Sequence, residues 1–471
     1  MDPDRFLTRT LIEKPRGGQV CRILAAAIQA VDPYAATLAH LHRDEQLLIL
    51  GNRSYILSEF ERIFVVGAGK AGAPMAQAAA SVLGEGLTKA LVIVKEGYAK
   101  TGEGAGARSV VPSTLDRINI REAGHPLPDQ RGVSATHELI ALLEEAGEKD
   151  LVICLISGGG SALLTAPVNG VSLDDLQALT RLLLACGAQI DEINALRKHL
   201  DRVKGGKLAR LAAPATVATL VLSDVVGDPL DAIASGPTVP DTTTFEDAWS
   251  VLEKYQLIDQ IPASIRSHLE SGRRGEIPEN PLPGDPLFEQ VQVEIIGSNR
   301  LAANAATEHA RSEGLHALLL TTYLQGEARQ AGRFLGAIAR QLAADSQPLE
   351  RPACLVIGGE TTVTIVGDGL GGRNQELALG AVSELDGLPQ IALVTLATDG
   401  GDGPTDAAGA VVTGETLARA RELGLDPVDF LQRNDSYHFF SPLGDLLKPG
   451  PTQTNVNDLA FIFAFDRRSR D

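Results

Sequence analysis

Short apolar runs alternate along the chain with longer segments in which apolar residues recur every three or four positions, the pattern of strands alternating with amphipathic helices. Helices are expected near residues 17–32 and 36–49, then strands near 62–66 and 90–94 with a helix at 72–83 between them. INIREA (118–123) reads as a short strand and SATHELIALLEEA (134–146) as a helix. DLVICLIS (150–157) is an apolar strand of the kind buried on both faces of a parallel sheet. A helical stretch runs from about 172 to 212, and ATVATLVLSD (215–224) restores the strand. Residues 238–290 are less regular, and GRRGEIPENPLPGDP (272–286), rich in Pro, Gly and charge, reads as a linker.

A second alternating series starts at VQVEIIGSN (291–299). It continues with a helix to about 313, a strand HALLLTT (316–322), a helix from about 326 to 344, ACLVIGGETTVTI (353–365), a helix from 374 to 384 and IALVTLATDG (391–400). LAFIFAF (459–465) is the last strand. Strand and helix alternate in both halves, so the expected fold is two α/β domains, residues 1–290 and 291–471. Gly-rich loops gather at strand C-termini, where open α/β sheets bind ligands, and a cleft between the domains is the expected active site.

The 471 residues, 44% of them hydrophobic, suffice for sizeable cores. No run reaches the roughly 18 apolar residues of a membrane span, and MDPDRFLTRTLIEKPRGG is too charged for a signal peptide, so a cytoplasmic protein is expected. Cys21, Cys154, Cys186 and Cys354 are widely spaced in apolar contexts, which argues against a disulfide framework or a zinc site. The formal charge of −18 repels nucleic acid and anionic membranes, and 4% aromatic residues leave little for stacking platforms. A small polar substrate held by local positive charge fits better; a homodimer is compatible with the sequence.

RIFVVGAGKAGAPMAQAAASVLG (62–84) runs from a strand through Gly67, Gly69 and Gly72 into an alanine-rich helix. Glycines there permit a tight turn, and free amides at a helix N-terminus attract an anion. A dinucleotide fold would also need an acid about 20 residues on, and Glu96 is available. Against that reading stands Lys70, a long cation inside the loop that suits a transferring phosphoryl group or a substrate carboxylate.

SGGGSALLTAP (157–167) follows a central strand. Gly158, Gly159 and Gly160, flanked by Ser157 and Ser161, can converge amides and hydroxyls on an oxyanion; the plain alternative is a packing turn. LRKHLDRVKGGKLARL (196–211) is the most basic stretch; most of its charges are expected in water, while Gly205 and Gly206 can place Lys207 beside an anion. Acidic turns lie in LSDVVGDP, with Asp224 and Asp228, and in ATDGGDGPTDAAG, with Asp399, Asp402 and Asp406. Such carboxylates hold Mg²⁺ or form Asx turns. Glu360 follows the strand ACLVIGG, and Arg373 precedes a helix where it can fork onto a carboxylate or phosphate. Thr452, Thr454, Asn455 and Asn457 can bind substrate hydroxyls or make loop hydrogen bonds.

Taken in order, GAGKAG, GHPLPD, SGGGSALL, KHLDRVKGGKLA, LSDVVGDPLDAIASGPTVPD, GGETTVT, GGRNQELAL, TDGGDGPTDAAGA and TNVNDL resemble the glycerate 2-kinase family, whose C-terminal part is the MOFRL domain. The likeness runs from about residue 15 to about 465, and only 241–290 lacks a matching motif. It implies transfer of the ATP γ-phosphoryl group to the 2-hydroxyl of D-glycerate, with Mg²⁺, by a two-domain enzyme that is Rossmann-like in its N-terminal domain. It also implies that Lys70 and Arg373 are catalytic. Asp224 is then the expected base or metal ligand, with Asp228, Asp399 and Asp402 as metal ligands. Gly69, His125, the 157–161 loop, Lys207, Glu360, Asn374 and Asn455 are the expected substrate or phosphate contacts. The 157–161 loop would cradle either the glycerate carboxylate or a phosphate. An NAD(P)-dependent hydroxypyruvate reductase is the competing expectation, because relatives have carried that label.

Overall fold

The computed structural model describes residues 1–99, 114 and 116–466. The chain forms two compact units, one from Pro33–Ile296 and the other from Met1–Asp32 together with Gly297–Asp471.

In the Pro33–Ile296 unit, β1 (Leu41–Asp44), β2 (Leu47–Leu50) and β3 (Arg53–Ile56) make a small antiparallel sheet. A helix was expected over 36–49, but it spans only Pro33–His40. Glu45, at φ 50°, turns the chain back, and the pairing Asp44↔Leu47 buries Leu48 and Leu50 on one face. The principal sheet contains β4 (Arg62–Ala68), β5 (Leu87–Lys95), β6 (Ile118–Ala123), β7 (Asp150–Ser157), β8 (Thr216–Leu222) and β9 (Val291–Gly297), in the order β6-β5-β4-β7-β8-β9. Numbered within the sheet this is 3-2-1-4-5-6, the doubly wound order, with β4 through β8 pairing in parallel. The order reverses between β4 and β7, so the loops leaving these two strands adjoin each other. Every residue of β7 is buried, as its unbroken apolar run predicts. At the start of the pair, Arg62 clasps Asp150 through Nε to Oδ1 at 3.1 Å and Nη2 to Oδ2 at 2.6 Å.

The expected 172–212 helix is three helices, Leu173–Ala185, Ile190–His199 and Lys207–Ala212, broken where Gly187, Gly205 and Gly206 take positive φ. The irregular 238–290 region holds two more, Phe245–Lys254 and Ala263–Arg273. Its expected linker is tied down: Asn280 Nδ2 donates to Asp241 Oδ2 at 2.7 Å, and Glu279 accepts from the Phe245 amide at 3.1 Å. Phe245, Trp249 and Leu252 pack with Leu179, Leu196 and Leu200 in a separate apolar cluster.

In the other unit, the helix Gly17–Gln29 is anchored to the end of the helix Asn299–Ser312. Gln19 Nε2 donates to the Glu313 carbonyl at 2.8 Å and Arg22 pairs with the Glu313 carboxylate. Thr10 donates from its amide and hydroxyl to the buried Asp445. These long-range bonds explain why residues 1–32 fold with the C-terminal segment, a departure from the expected 1–290 and 291–471 division. β9, expected to begin the second domain, closes the first sheet instead.

The second sheet has β10 (His316–Leu324), β11 (Ala353–Gly359), β12 (Ile391–Ala397), β13 (Gly409–Thr413), β14 (Leu446–Leu447) and β15 (Asp458–Ala464) in the order β10-β11-β15-β12-β13-β14. β10 and β11 are parallel, while β15 runs antiparallel to both β11 and β12. The last strand is therefore interior to its sheet. Its Asp458 lies opposite Gly359 and Ala397, which end β11 and β12. No helix among the described residues is long and apolar enough to cross a membrane.

Candidate active site

At the reversal of strand order, the Gly67–Gly72 turn after β4 meets the 157–161 loop after β7. A Cβ on Gly67 would fall 2.2 Å from the Leu155 carbonyl oxygen. Gly69, at φ 141°, lies so close to Ser157 that a Cβ would fall 2.1 Å from its Oγ. A Cβ on Gly72 would meet Val92 at 2.6 Å. The glycines thus serve close packing, and the amides between them all have protein acceptors. Gly69 N–H donates to the Ile93 carbonyl at 3.0 Å, Lys70 N–H to the Gly158 carbonyl at 2.8 Å, Ala71 N–H to Ser157 Oγ at 3.0 Å and Gly72 N–H to the Gly69 carbonyl at 3.1 Å. Of the expected ligand contacts, the Gly69 amide is thus engaged by β5, and the Ser157 hydroxyl accepts from Ala71, which with the Lys70–Gly158 bond ties the two loops together.

What this turn presents is the Lys70 side chain, which makes no ion pair or side-chain hydrogen bond among the described residues. Its Cγ is 3.5 Å from the position of a Cβ on Gly159, and the His125 ring is 3.0 Å from the same point. A Cβ on Gly158 would strike Asp224 Oδ2 at 2.2 Å, so the loop lies directly against that carboxylate. Burial raises the Asp224 pKa; the Lys70 charge and the Gly159 amide oppose it without cancelling it. Burial, with the charges of Lys70 and Lys95, pushes the His125 pKa down to about 4, so the ring is neutral near pH 7. Ser161 Oγ is 3.0 Å from Ser235 Oγ, which donates to Asn194 Oδ1 at 3.2 Å. Ala234 and Ser235 both have positive φ (50° and 61°), and a Cβ on Gly160 would lie 2.8 Å from that of Ala234. Side-chain-bearing residues held in this left-handed region are strained, and such strain gathers at functional sites. The sequence singles out neither Asn194, which precedes the basic stretch, nor Ser235, which lies within LSDVVGDPLDAIASGPTVPD without a distinguishing spacing.

The basic stretch differs from expectation, because Lys198 and Lys204 are buried and Lys207 half-buried, and all three are matched rather than solvated. Lys198 bonds Asp241 at 3.1 Å, and Lys204 bonds Asp201 at 2.8 Å. Lys207, an expected substrate contact, donates to the Lys198 carbonyl at 2.6 Å, tying together two helix ends; burial pulls its pKa to about 8. Glu96, the acid of the dinucleotide alternative, pairs at the surface with Arg131 at 2.9 Å.

The second cluster belongs to the other unit. Arg373, first residue of the helix Arg373–Leu385, donates from Nη1 to Glu360 Oε1 at 2.6 Å and from Nε to Asp458 Oδ2 at 2.5 Å. Burial works against its charge, yet Asp458, Glu360 and Asp402 hold its pKa above the ordinary value. Burial pushes Asp458 up to about 6 and Asp402 up to about 7, despite the bonds each accepts. Asp402 accepts from the Asn374 amide at 3.1 Å and the Gln375 amide at 2.9 Å, so both oxygens anchor the helix N-terminus. This geometry gives Asp402, an expected metal ligand, a helix-anchoring role. Asn374 is likewise buried, reaching Asp402 with Nδ2 at 3.5 Å while its carbonyl accepts from Thr395. Asn455 Oδ1 accepts from the Asn457 amide at 3.2 Å, the loop bond named as its alternative. Asp399 closes a turn onto Gly401 N–H at 3.1 Å. Asp458 was missed, although it is the acid at the head of the last apolar run.

No group of three or more His, Cys, Asp or Glu among the described residues is placed to hold a metal. Asp228 belongs to one unit and Asp399 and Asp402 to the other. Within each unit the described carboxylates form no all-protein metal cage. They fit only an ion that brings most of its ligands from substrate phosphates and water, the usual habit of Mg²⁺.

A doubly wound unit presenting a lysine beside a buried carboxylate, and a mixed-sheet unit presenting an arginine, define a two-part α/β protein equipped for anionic ligands. Residues 19–270 match the family described as a domain of unknown function (DUF4147), and residues 353–458 match the MOFRL family. A glycerate 2-kinase of Pyrococcus horikoshii is 43% identical over 454 residues, 95% of this chain and 97% of that one. An Agrobacterium vitis protein described as "Putative hydroxypyruvate reductase" is 39% identical, covering 94% of this chain and 93% of its own. The crystal structure of Thermotoga maritima glycerate kinase superposes with a TM-score of 0.81 at 40% identity, covering 94% of this chain and 98% of that one. The chain belongs to the glycerate 2-kinase family.

Proposed function

We propose that the protein transfers the γ-phosphoryl group of ATP to the 2-hydroxyl of D-glycerate, giving 2-phosphoglycerate and ADP. The observation that carries the reading is Lys70: an ammonium without a partner among the described residues, held by a turn whose amides are all engaged, beside a buried carboxyl at Asp224. A dinucleotide site needs those amides free for a pyrophosphate, whereas phosphoryl transfer needs positive charge on the moving group and an acceptor for one proton. In the transfer, the substrate oxygen bonds to the γ-phosphorus as the bond to the β,γ-bridging oxygen breaks. The hydroxyl proton passes to Asp224, whose raised pKa suits a base. Lys70 and Arg373 neutralise charge on the phosphoryl oxygens, and Glu360 with Asp458 orients the arginine. Mg²⁺ bound with the nucleotide would neutralise its phosphates, with Asp228 as the protein carboxylate of the expected set that accepts no bond among the described residues.

The test is a coupled assay with product identification. ADP formation that requires both D-glycerate and Mg²⁺, with a phosphorus NMR signal for 2-phosphoglycerate, supports the reading. Oxidation of NADH by hydroxypyruvate without ATP would replace it with the reductase.

A further inference from the structure

One cation of the Pro33–Ile296 unit is not used by the reading above. Arg197 lies on the helix Ile190–His199, half-buried, and no hydrogen bond or ion pair joins its guanidinium to any described residue. Burial alone pulls its pKa below the ordinary arginine value, with no acid opposing the effect. Its neighbours in sequence are all matched. Lys198 has Asp241 and Asp231, Lys204 has Asp201, Lys207 has the Lys198 carbonyl, and Arg202 reaches Glu144 at 3.9 Å. A charge withdrawn from water without an acceptor is unfavourable, and a fold that pairs the other four would be expected to pair this one unless its partner arrives from outside. The guanidinium fork matches a planar carboxylate or a phosphate.

Its placement points to the same ligand. Asn194 is one helical turn before Arg197 and therefore on the same face. Asn194 Oδ1 accepts from Ser235, and Ser235 meets Ser161 of the 157–161 loop. On another side the charge of Arg197 is felt by Lys204, whose ammonium donates to the Leu164 carbonyl at 2.5 Å, just past the helix Gly160–Leu163. The strained Ala234–Ser235 backbone holds the two hydroxyls at this spot.

We propose that Arg197 recognises the carboxylate of the acceptor substrate, with Ser161, Ser235 and Asn194 completing a subsite for 2-hydroxy carboxylates. The inference rests on the kinase reading and assigns the Ser161 end of the glycine-rich loop to the acceptor carboxylate rather than to a nucleotide phosphate. Lys70 is then left to the moving phosphoryl group.

The experiment compares wild-type enzyme with Arg197→Gln and Arg197→Lys by steady-state kinetics and by thermal melts with D-glycerate alone. In both variants KM for D-glycerate is expected to rise roughly tenfold to a hundredfold, the worth of a charged hydrogen bond, while KM for ATP stays within about threefold. Unliganded Arg197→Gln should melt at or above the wild-type temperature, since an unpaired, half-buried charge is removed. D-glycerate should stabilise the wild type and fail to stabilise the variant. Unchanged glycerate KM and stabilisation in both variants would overturn the assignment while leaving the kinase reading intact. A rise confined to KM for ATP would move Arg197 to the nucleotide and also overturn it. A wild-type enzyme neither stabilised by D-glycerate nor able to phosphorylate it would remove both readings together.

Discussion

The Lys70 amide donates to the carbonyl of Gly158 at 2.8 Å, binding the turn after β4 to the loop after β7. The backbone of Lys70 is therefore part of the fold's framework, while its ammonium stands clear of every described partner. Replacement by Met keeps the backbone bond and removes only the charge. Lys70→Met is expected to lower kcat roughly a hundredfold or more, as loss of a group acting on the transition state does, with a melting temperature within about 2 °C of wild type. Parallel assays and melts check both halves of the statement.

Gly158 offers the converse case. A methyl group there would fall 2.2 Å from Asp224 Oδ2 and 2.7 Å from its Cγ, so either the loop or the carboxylate must move. Gly158→Ala is expected to lose activity through displacement of Asp224 and to be destabilised by about 1–3 kcal/mol, the range for overpacking. Urea unfolding gives the second quantity; an unaltered midpoint with full turnover would contradict the contact.

His125 should be silent to pH across the neutral range. With burial and two nearby lysines holding its pKa near 4, its ring carbon resonance is expected to stay flat between about pH 5.5 and 8. In Lys70→Met one of the opposing charges is gone, and the titration midpoint moves upward. NMR with labelled histidine reads both curves.

Asp402 supplies a signed dependence of stability on pH. Its folded pKa of about 7 stands above its unfolded value of 3.8, so its contribution is complete below about pH 4 and is lost as pH rises through 7. Asp402→Asn lacks this titration. The stability advantage of wild type over Asp402→Asn should therefore shrink from pH 5 to pH 8, measurable by paired denaturant curves. A widening gap would show that the amide bonds from Asn374 and Gln375 outweigh burial.

Arg373 is held on two sides, by Glu360 and Asp458, and a lysine cannot reproduce both bonds. Arg373→Lys is expected to remain impaired at least tenfold in kcat/KM. Asp458→Asn, which removes the buried partner, should impair activity in the same direction. Steady-state kinetics of the two variants, with melts to establish folding, checks the pair.

The parts of this molecule legible from its sequence are those set by local pattern. The unbroken apolar run of β7, the strand–glycine–helix unit at 62–84 and the Gly372–Arg373 helix start all lie where periodicity and turn chemistry place them. The boundaries between units were not legible. They depend on Thr10 meeting Asp445 and Gln19 meeting Glu313, contacts across more than half the chain that leave no periodic trace. The 36–49 segment failed for a different reason: its apolar spacing satisfies helix and hairpin alike, and the turn at Glu45 decides. Residue types pointed to Lys70 and Asp224 in one unit and to Arg373 in the other as candidates. They carried no trace of the bond from Ala71 to Ser157 or of the anchoring of a helix start by Asp402, because both partners lie far off in sequence or in another loop. Asp458 was hidden because strand order, not spacing, carries it to Arg373.

Because β15 is formed by residues 458–464 and lies between β11 and β12, every other strand of the second sheet is synthesised before its middle strand. Until then β11 and β12 have no partner to join them, and the segment 1–32 waits for a surface that does not yet exist. Every strand of the Pro33–Ile296 unit is made before that middle strand, so the lysine-bearing unit can assemble during synthesis while the arginine-bearing one still lacks its centre.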